Sequence, residues 1–232
     1  MKLKIFTILL LAGAPLLMGF VYPQGGIESW VGANRLMSLT PWLGFRFGLT
    51  NTMSLTLKYS NQNIHFDYES SADLKERRKA TISQFSLVFY SQKTNREVWS
   101  SLSYFRGSDH FDGLAIDAGV IHSLTSRLKL VNSLYILKEK STLWFPDEDQ
   151  RDIFAYSLRT GLQFRFFKWL QFNPNVYVGR TSKDVTTFSF SVGFILSPKD
   201  PIMVTVYYFR YREAALYQFT GDYVSVGLNY YY

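Results

Sequence analysis

The sequence predicts an all-β chain: a transmembrane, antiparallel, up-and-down β-barrel of about twelve strands, with short periplasmic turns and longer extracellular loops. Three observations predict it. Apolar and small polar residues alternate in short segments along the chain, with no sustained 3.6-residue period. Aromatics make up 18% of the 232 residues, yet mean hydropathy is only -0.05, so the apolar residues are not gathered into helical spans. The N-terminus is basic and then apolar, the pattern of an export signal. A bilayer admits only helices or closed barrels, because an unpaired backbone group in hydrocarbon costs several kcal/mol. Many aromatics at near-zero hydropathy therefore select the barrel.

Taken in order, Met1 to Lys4 carries two lysines, and Ile5 to Tyr22 is uncharged and mostly apolar, broken by Gly13, Pro15 and Gly19. This is the layout of a secretory signal peptide. We assign it to residues 1–24, with a cut expected between Gly19 and Gly26; no clean A-x-A marks the site. Residues 25–232 then form a single barrel domain. A retained anchor is the competing reading, since the run approaches the roughly 18 residues at which a spanning helix forms. Pro15 and the strand pattern downstream favour removal.

The segment Ile27 to Met37 alternates poorly. From Trp42 to Thr50, Leu43, Phe45, Phe47 and Leu49 oppose Gly44, Arg46 and Gly48. After a turn at Asn51-Thr52, Met53, Leu55, Leu57 and Tyr59 oppose Ser54, Thr56, Lys58 and Ser60. Ile64, Phe66 and Tyr68 then fall on the other parity, which predicts a bulge near Asn61 to Asn63. Glu69 to Lys79 reads as a charged loop, and a strand returns over Ala80 to Ser91. Turns at Gln92 to Asn95 and Thr125-Ser126 flank strands over Glu97 to Phe105 and Leu114 to Val120, which a loop at Arg106 to Gly113 separates. A strand from Leu128 to Ile136 leads to an acidic loop, Glu139 to Arg151. The clearest strand follows, with Phe154, Tyr156, Leu158, Thr160, Leu162, Phe164 and Phe166 opposing Ala155, Ser157, Arg159, Gly161, Gln163 and Arg165. Three more reach the end: Leu170 to Val178, crossed by Pro174, which cannot donate to a ladder; Phe188 to Phe194; and Ile202 to Tyr208. The last strand is Gly221 to Tyr232.

An even count puts both ends of the barrel chain on one side with all the short turns, which is the periplasmic side in barrels of this kind. Counts of ten or fourteen stay open, because the regions before Trp42 and around Glu97 alternate weakly. A soluble sandwich or ligand-binding barrel alternates equally well. About twelve strands, however, enclose a lumen too wide for aliphatic side chains to fill, so the apolar face is expected to point outward.

In the last strand, Ser225-x-Gly227-x-x-Tyr230-x-Tyr232 resembles the C-terminal assembly signal of bacterial outer-membrane barrels: polar, any, glycine, any, any, aromatic, any, aromatic. All four defined positions match. The resemblance covers eight residues. It implies an outer-membrane location and insertion by the barrel assembly machinery, and it implies no activity. Outer-membrane lipid and lipopolysaccharide are then the expected surroundings, with Lys75, Arg77, Arg78 and Lys79 as candidate contacts for phosphate.

With the apolar face outward, Arg46, Lys58, Lys129, Arg159 and Arg165 point into the lumen, against Asp117. Rings of charged side chains set ion preference, so these residues suggest an anion-favouring pore; a lumen plugged by its own side chains is the alternative. Asp109, His110 and Asp112 are the acid-base candidates, with Asp147, Glu148, Asp149 and Asp152 in the next loop. They match no defensible catalytic motif, so no catalytic residue is assigned. The tryptophans and tyrosines read as interfacial anchors. The chain has no cysteine, hence no disulfide or thiolate metal site. No cofactor or metal is expected. Its net charge of +7 comes with no nucleic-acid motif, so no nucleic acid is expected.

The expected function is a small passive channel for anionic or small polar solutes. The alternatives are a non-channel accessory barrel with an export-system partner, and a loop-borne hydrolase.

Overall fold

The computed structural model describes residues 20–69, 75–108, 110–141, 151–182, 186–199, 201–213 and 220–231. They form a closed barrel of twelve antiparallel strands in which every strand pairs with its sequence neighbours and the last pairs with the first. The strands are β1 Val21–Gly32, β2 Leu36–Gly48, β3 Met53–Glu69, β4 Lys75–Lys93, β5 Arg96–Gly107 and β6 Asp112–Ser123, then β7 Leu128–Ser141, β8 Arg151–Phe167, β9 Leu170–Thr181, β10 Thr186–Lys199, β11 Ile202–Glu213 and β12 Gly221–Tyr231. The up-and-down path with short turns at one end is the expected architecture, and it leaves no strand edge for the bilayer to meet.

Local chemistry makes the short turns. In the β6–β7 turn the Thr125 hydroxyl accepts the backbone N–H groups of Arg127 and Leu128, at 3.2 and 3.0 Å, so a side chain replaces a missing ladder partner. At the other end, Ala33–Arg35 makes one 3-10 turn between β1 and β2. The single poor segment expected over Ile27 to Met37 is therefore the end of one strand, this turn and the start of the next.

The polarity of the wall is that of a membrane barrel. Leu43, Phe85, Leu158, Phe188, Val226 and Leu228 are exposed on the outside, while Ser86, Asn173, Asn175, Ser189, Ser191 and Ser225 are buried on the inside. Alternation with this sense fits lipid outside and a polar interior.

Two sequence expectations are corrected here. No bulge interrupts β3 near Asn61 to Asn63: its pairing with β4 runs unbroken from Met53↔Ser91 to Glu69↔Lys75. Parity is kept, so Ile64 and Phe66 point inward and Asn63, His65 and Asp67 outward. The long β3–β4 hairpin rises past the membrane, where its outer face meets water and its inner face can be apolar. Nor is Glu69 to Lys79 all loop, since β4 begins at Lys75.

The inner face of that hairpin carries the largest apolar core. Ile64, Phe66, Ala80, Ile82 and Phe111 are buried together, with Leu36 and Phe105 packed on them. Phe111 reaches the cluster because a tight turn brings it back: Gly107 N–H donates to Phe111 O at 2.9 Å and Phe111 N–H to Ser108 O at 3.0 Å. Burying a Phe or Ile side chain stabilises by about 1.5–3 kcal/mol, so the cluster braces the extracellular mouth and narrows it on the β2–β6 side.

Candidate functional site: the lumen

The inward parity of each strand defines the lumen. Apart from the 3-10 turn against β3 and β12, substantial backbone contact between described elements runs only between paired strands. No described segment folds into the lumen as a plug, and its character is set by side chains on the wall.

All six charged residues assigned to the lumen from the sequence lie on this inward register. Arg46 pairs across the ladder with Thr56, Lys58 with Gly44, Asp117 with Ser101, Lys129 with Gln163, Arg159 with Ser133, and Arg165 with Gln171. The structure adds acids that the sequence reading left out: Glu28 on β1, Glu97 on β5 and Glu139 on β7 share the inward face. It also places Arg78 on the inward register opposite Phe66, so that one of the four candidate phosphate contacts faces the lumen and not the lipid. Glu28 sat in the segment of poor alternation and Glu139 in an assumed loop. Parity with Trp99 and Ser101 was the signal that could have placed Glu97.

These groups divide into committed and uncommitted charges. Lys129 is ion-paired to Glu97, which also accepts the Tyr90 hydroxyl at 2.8 Å. Arg159 Nε donates to Asn175 Oδ1 at 2.8 Å and the guanidinium lies 5.9 Å from the Tyr177 ring centre. Asp117 accepts the Trp99 indole N–H at 3.4 Å. Glu28 accepts the indole of Trp30 and, at 3.1 Å, the Ser225 hydroxyl. Arg46 and Lys58 instead face rings, at 5.8 Å from Tyr90 and 4.4 Å from Trp42. Arg165 stands near the periplasmic end of β8. Among the described residues, Arg46, Lys58 and Arg165 form no ion pair.

The wall is two-sided. Every inward charge among the described side chains lies on β1–β8. Strands β9–β12 offer amides, hydroxyls and rings instead: Asn175 Nδ2 donates to Ser191 Oγ at 3.2 Å, and Asn173 Nδ2 to the Tyr207 hydroxyl at 3.4 Å. Tyr177 packs edge-on against Phe209 with ring centres 5.5 Å apart. The expectation that the tryptophans are interfacial anchors is corrected for three of them: Trp30, Trp42 and Trp99 share the inward register with Ser38, Ser60 and Gly119. Their indole N–H groups find acceptors inside: Glu28 for Trp30, Asn229 for Trp42 and Asp117 for Trp99. Trp169 does sit at the rim, stacked on Phe167 and exposed.

Glycine makes room for the inward rings. A Cβ on Gly193 would lie 2.0 Å from a Tyr207 ring carbon, and one on Gly119 2.2 Å from the Trp99 ring. Each ring lies flat over the bare backbone of its cross-strand partner.

The loop candidates are not brought together. His110 is exposed with φ of 53°, and Asp112 points outward, accepting the Tyr104 hydroxyl at 3.2 Å. Asp152 pairs with Lys140 at 3.6 Å. Asp109, Asp147, Glu148 and Asp149 lie outside the described residues, as does Trp144. Among the described residues no cluster of His, Asp or Glu has metal-binding geometry.

Of the assembly-signal positions, Ser225 and Gly227 are buried inward and Tyr230 is exposed outward, all on the strand that closes the barrel against β1. Tyr232 lies outside the described residues.

No protein-family model matches the chain, and no curated protein does. Solved structures do. A KdgM porin is 11% identical with a TM-score of 0.60, covering 89% of this chain and 98% of its own. The COG4313 outer membrane channel from Pseudomonas putida F1 is 8% identical with a TM-score of 0.74, covering 93% and 97%. The translocator domain of autotransporter NalP from Neisseria meningitidis is 10% identical with a TM-score of 0.58, covering 99% and 95%. At these identities the likeness is one of fold: the chain has the architecture of bacterial outer-membrane β-barrels.

Proposed function

We propose that the protein is a passive channel of the bacterial outer membrane for small polar solutes, with anions favoured. Its fold is similar to those of a porin and a channel, and also to that of an autotransporter translocator, so the fold does not select the function. The lumen supports the reading. Its wall is polar, no described segment occupies it, and Arg46, Lys58 and Arg165 form no ion pair among the described residues. Fixed cations of this kind attract anions into a pore and repel cations. In planar bilayers the purified protein should give discrete conductance steps, with a reversal potential of anion sign in a salt gradient.

A second reading rests on the apolar cluster of Ile64, Phe66 and Phe111 at the outer mouth. If it closes the lumen, the barrel is an accessory part of an envelope export system. Silent bilayers together with a co-purifying partner would select that reading.

Export and insertion belong to the same proposal. Ser225, Gly227, Tyr230 and Tyr232 would present the closing strand to the barrel assembly machinery, and lipopolysaccharide would surround the outer rim. Val21 to Gln24 are paired with Phe47 to Gly44 in the barrel, so a cut after residue 24 would strip the start of β1. We place processing before Val21. Intact-mass measurement of the mature protein should find a start at Phe20 or Val21, and a start at Gly25 or later would contradict this.

A further inference from the structure

The outside of the barrel carries a polar feature that a lumen does not explain. We propose that strands β5–β9 hold an anionic phospholipid of the periplasmic leaflet. Its phosphate would sit on Arg96 and His122, its ester region at Asn132, and an acyl chain in the groove beyond them.

Three observations carry this. The lipid-facing wall is hollowed into a groove of about 800 Å³, walled by Val98, Val120, Leu134, Leu158, Val176 and Val178. Ser100 and Ala118, paired across β5 and β6, are small enough to leave it open. Within it, inside an otherwise apolar belt, Thr160 Oγ1 donates to Asn132 Oδ1. That bond uses the hydroxyl proton and leaves the Asn132 amide N–H groups without a described acceptor. A donor left unpaired away from water costs about 1–3 kcal/mol, and an ester carbonyl would accept it. Finally, Arg96 and His122 are cross-strand partners on the same outward parity as Val98 and Val120, one row nearer the short-turn end. Neither has an ion pair or side-chain hydrogen bond among the described residues.

The vertical order matches a phospholipid. Rows on one face are two residues, or about 7 Å, apart along a strand. From the periplasmic rim inward the wall offers a guanidinium and an imidazole, then an amide donor, then an aliphatic groove. A phospholipid offers phosphate, then ester carbonyl, then acyl chain. Position and charge together choose the leaflet. Arg96 and His122 stand on the short-turn side of the groove. The described short-turn rim carries Lys93, Arg96, Arg127, Lys168 and Lys199 with no outward acid, whereas the opposite end mixes cations with Asp67, Asp112, Asp152 and Asp222, three of them ion-paired to Arg35, Lys140 and Arg210. A second copy of this chain fits less well, because a concave groove does not complement itself.

Native mass spectrometry of the mature protein in detergent, with phosphatidylglycerol and phosphatidylcholine as probes, tests this. One phosphatidylglycerol should survive detergent exchange in preference to phosphatidylcholine. The double variant R96Q/H122Q should lower its retention about tenfold, as expected for losing charge-assisted contacts, while K199Q, elsewhere on the rim, should not. Ala118→Phe fills the groove and should abolish retention. If that variant does not fold, Asn132→Leu, which puts an apolar side chain of similar size on a lipid-facing position, should still reduce retention. Equal retention by wild type, R96Q/H122Q and N132L would overturn the proposal. So would equal losses in K199Q and R96Q/H122Q, or a dimer that Ala118→Phe converts to monomer.

Discussion

Replacing both Arg46 and Arg165 with glutamate should reverse the ion preference of the pore from anions to cations. Among the described side chains the inward cations are Arg46, Lys58, Arg78, Lys129, Arg159 and Arg165, and the inward acids Glu28, Glu97, Asp117 and Glu139. Cations exceed acids by two, and the double replacement turns that excess into an equal excess of acid. Position matters as much as number. Arg46 is near the end of β2 and Arg165 near the end of β8, both at the short-turn mouth, where solutes pass within reach of every charge on the rim. Neither is held in an ion pair among the described residues, so their field acts on the solute and not on a neighbour. Lys129 makes the control. Its partner Glu97 already neutralises it, so removing both charges together, Lys129→Gln with Glu97→Gln, should move the reversal potential far less than the double arginine change. A pore whose preference is unchanged by R46E/R165E would mean that these side chains do not line the conducting path.

Gly193→Val should destabilise the barrel more than any conservative change on its outer face. The valine Cβ would stand 2.0 Å from the Tyr207 ring, far inside contact distance, and the ring would have to leave the wall. Tyr207 is also the acceptor for the Asn173 amide, so moving it strands a buried donor. Overpacking costs about 1–3 kcal/mol, and the stranded donor adds to it. If the clash with the ring is the cause, Tyr207→Ala added to Gly193→Val should recover part of the loss, which a double-mutant cycle of unfolding midpoints would read. A neutral Gly193→Val, or a double variant no better than the single, would contradict the ring-over-glycine packing.

Much of the fold was legible where lipid and water pull opposite faces of a strand apart. β8 shows this best: Phe154 to Phe164 alternate with Ala155 to Arg165 because one row meets hydrocarbon and the other the lumen. Legibility failed where that contrast vanishes. Above the bilayer both faces of the β3–β4 hairpin can carry either polarity, so Ile64 and Phe66 looked like a break in parity when they continue it. β1 is rich in Gly and carries Pro23, and its inward Trp30 is as large as a lipid anchor, so the β1–β2 boundary and Glu28 were hidden together. Arg46, Lys58, Lys129, Arg159, Arg165 and Asp117 could be found by parity, whereas Arg78, Glu28 and Glu139 lay in segments read as loop or alternating poorly. The inward tryptophans could not be told from outward ones, because Trp and Tyr serve lipid interface and wet lumen equally well.

Channel function requires that the Ser157 and Arg159 face of the wall be the wet one, and the chain's lack of cysteine makes that directly measurable. Single cysteines placed in turn at Ser157, Leu158, Arg159 and Leu162 in liposome-embedded protein would be probed with a charged, water-soluble thiol reagent. The barrel predicts labelling at 157 and 159 through the lumen, and protection at 158 and 162 by lipid. Labelling at 158 and 162 with protection at 157 and 159 would turn the wall inside out and contradict the account.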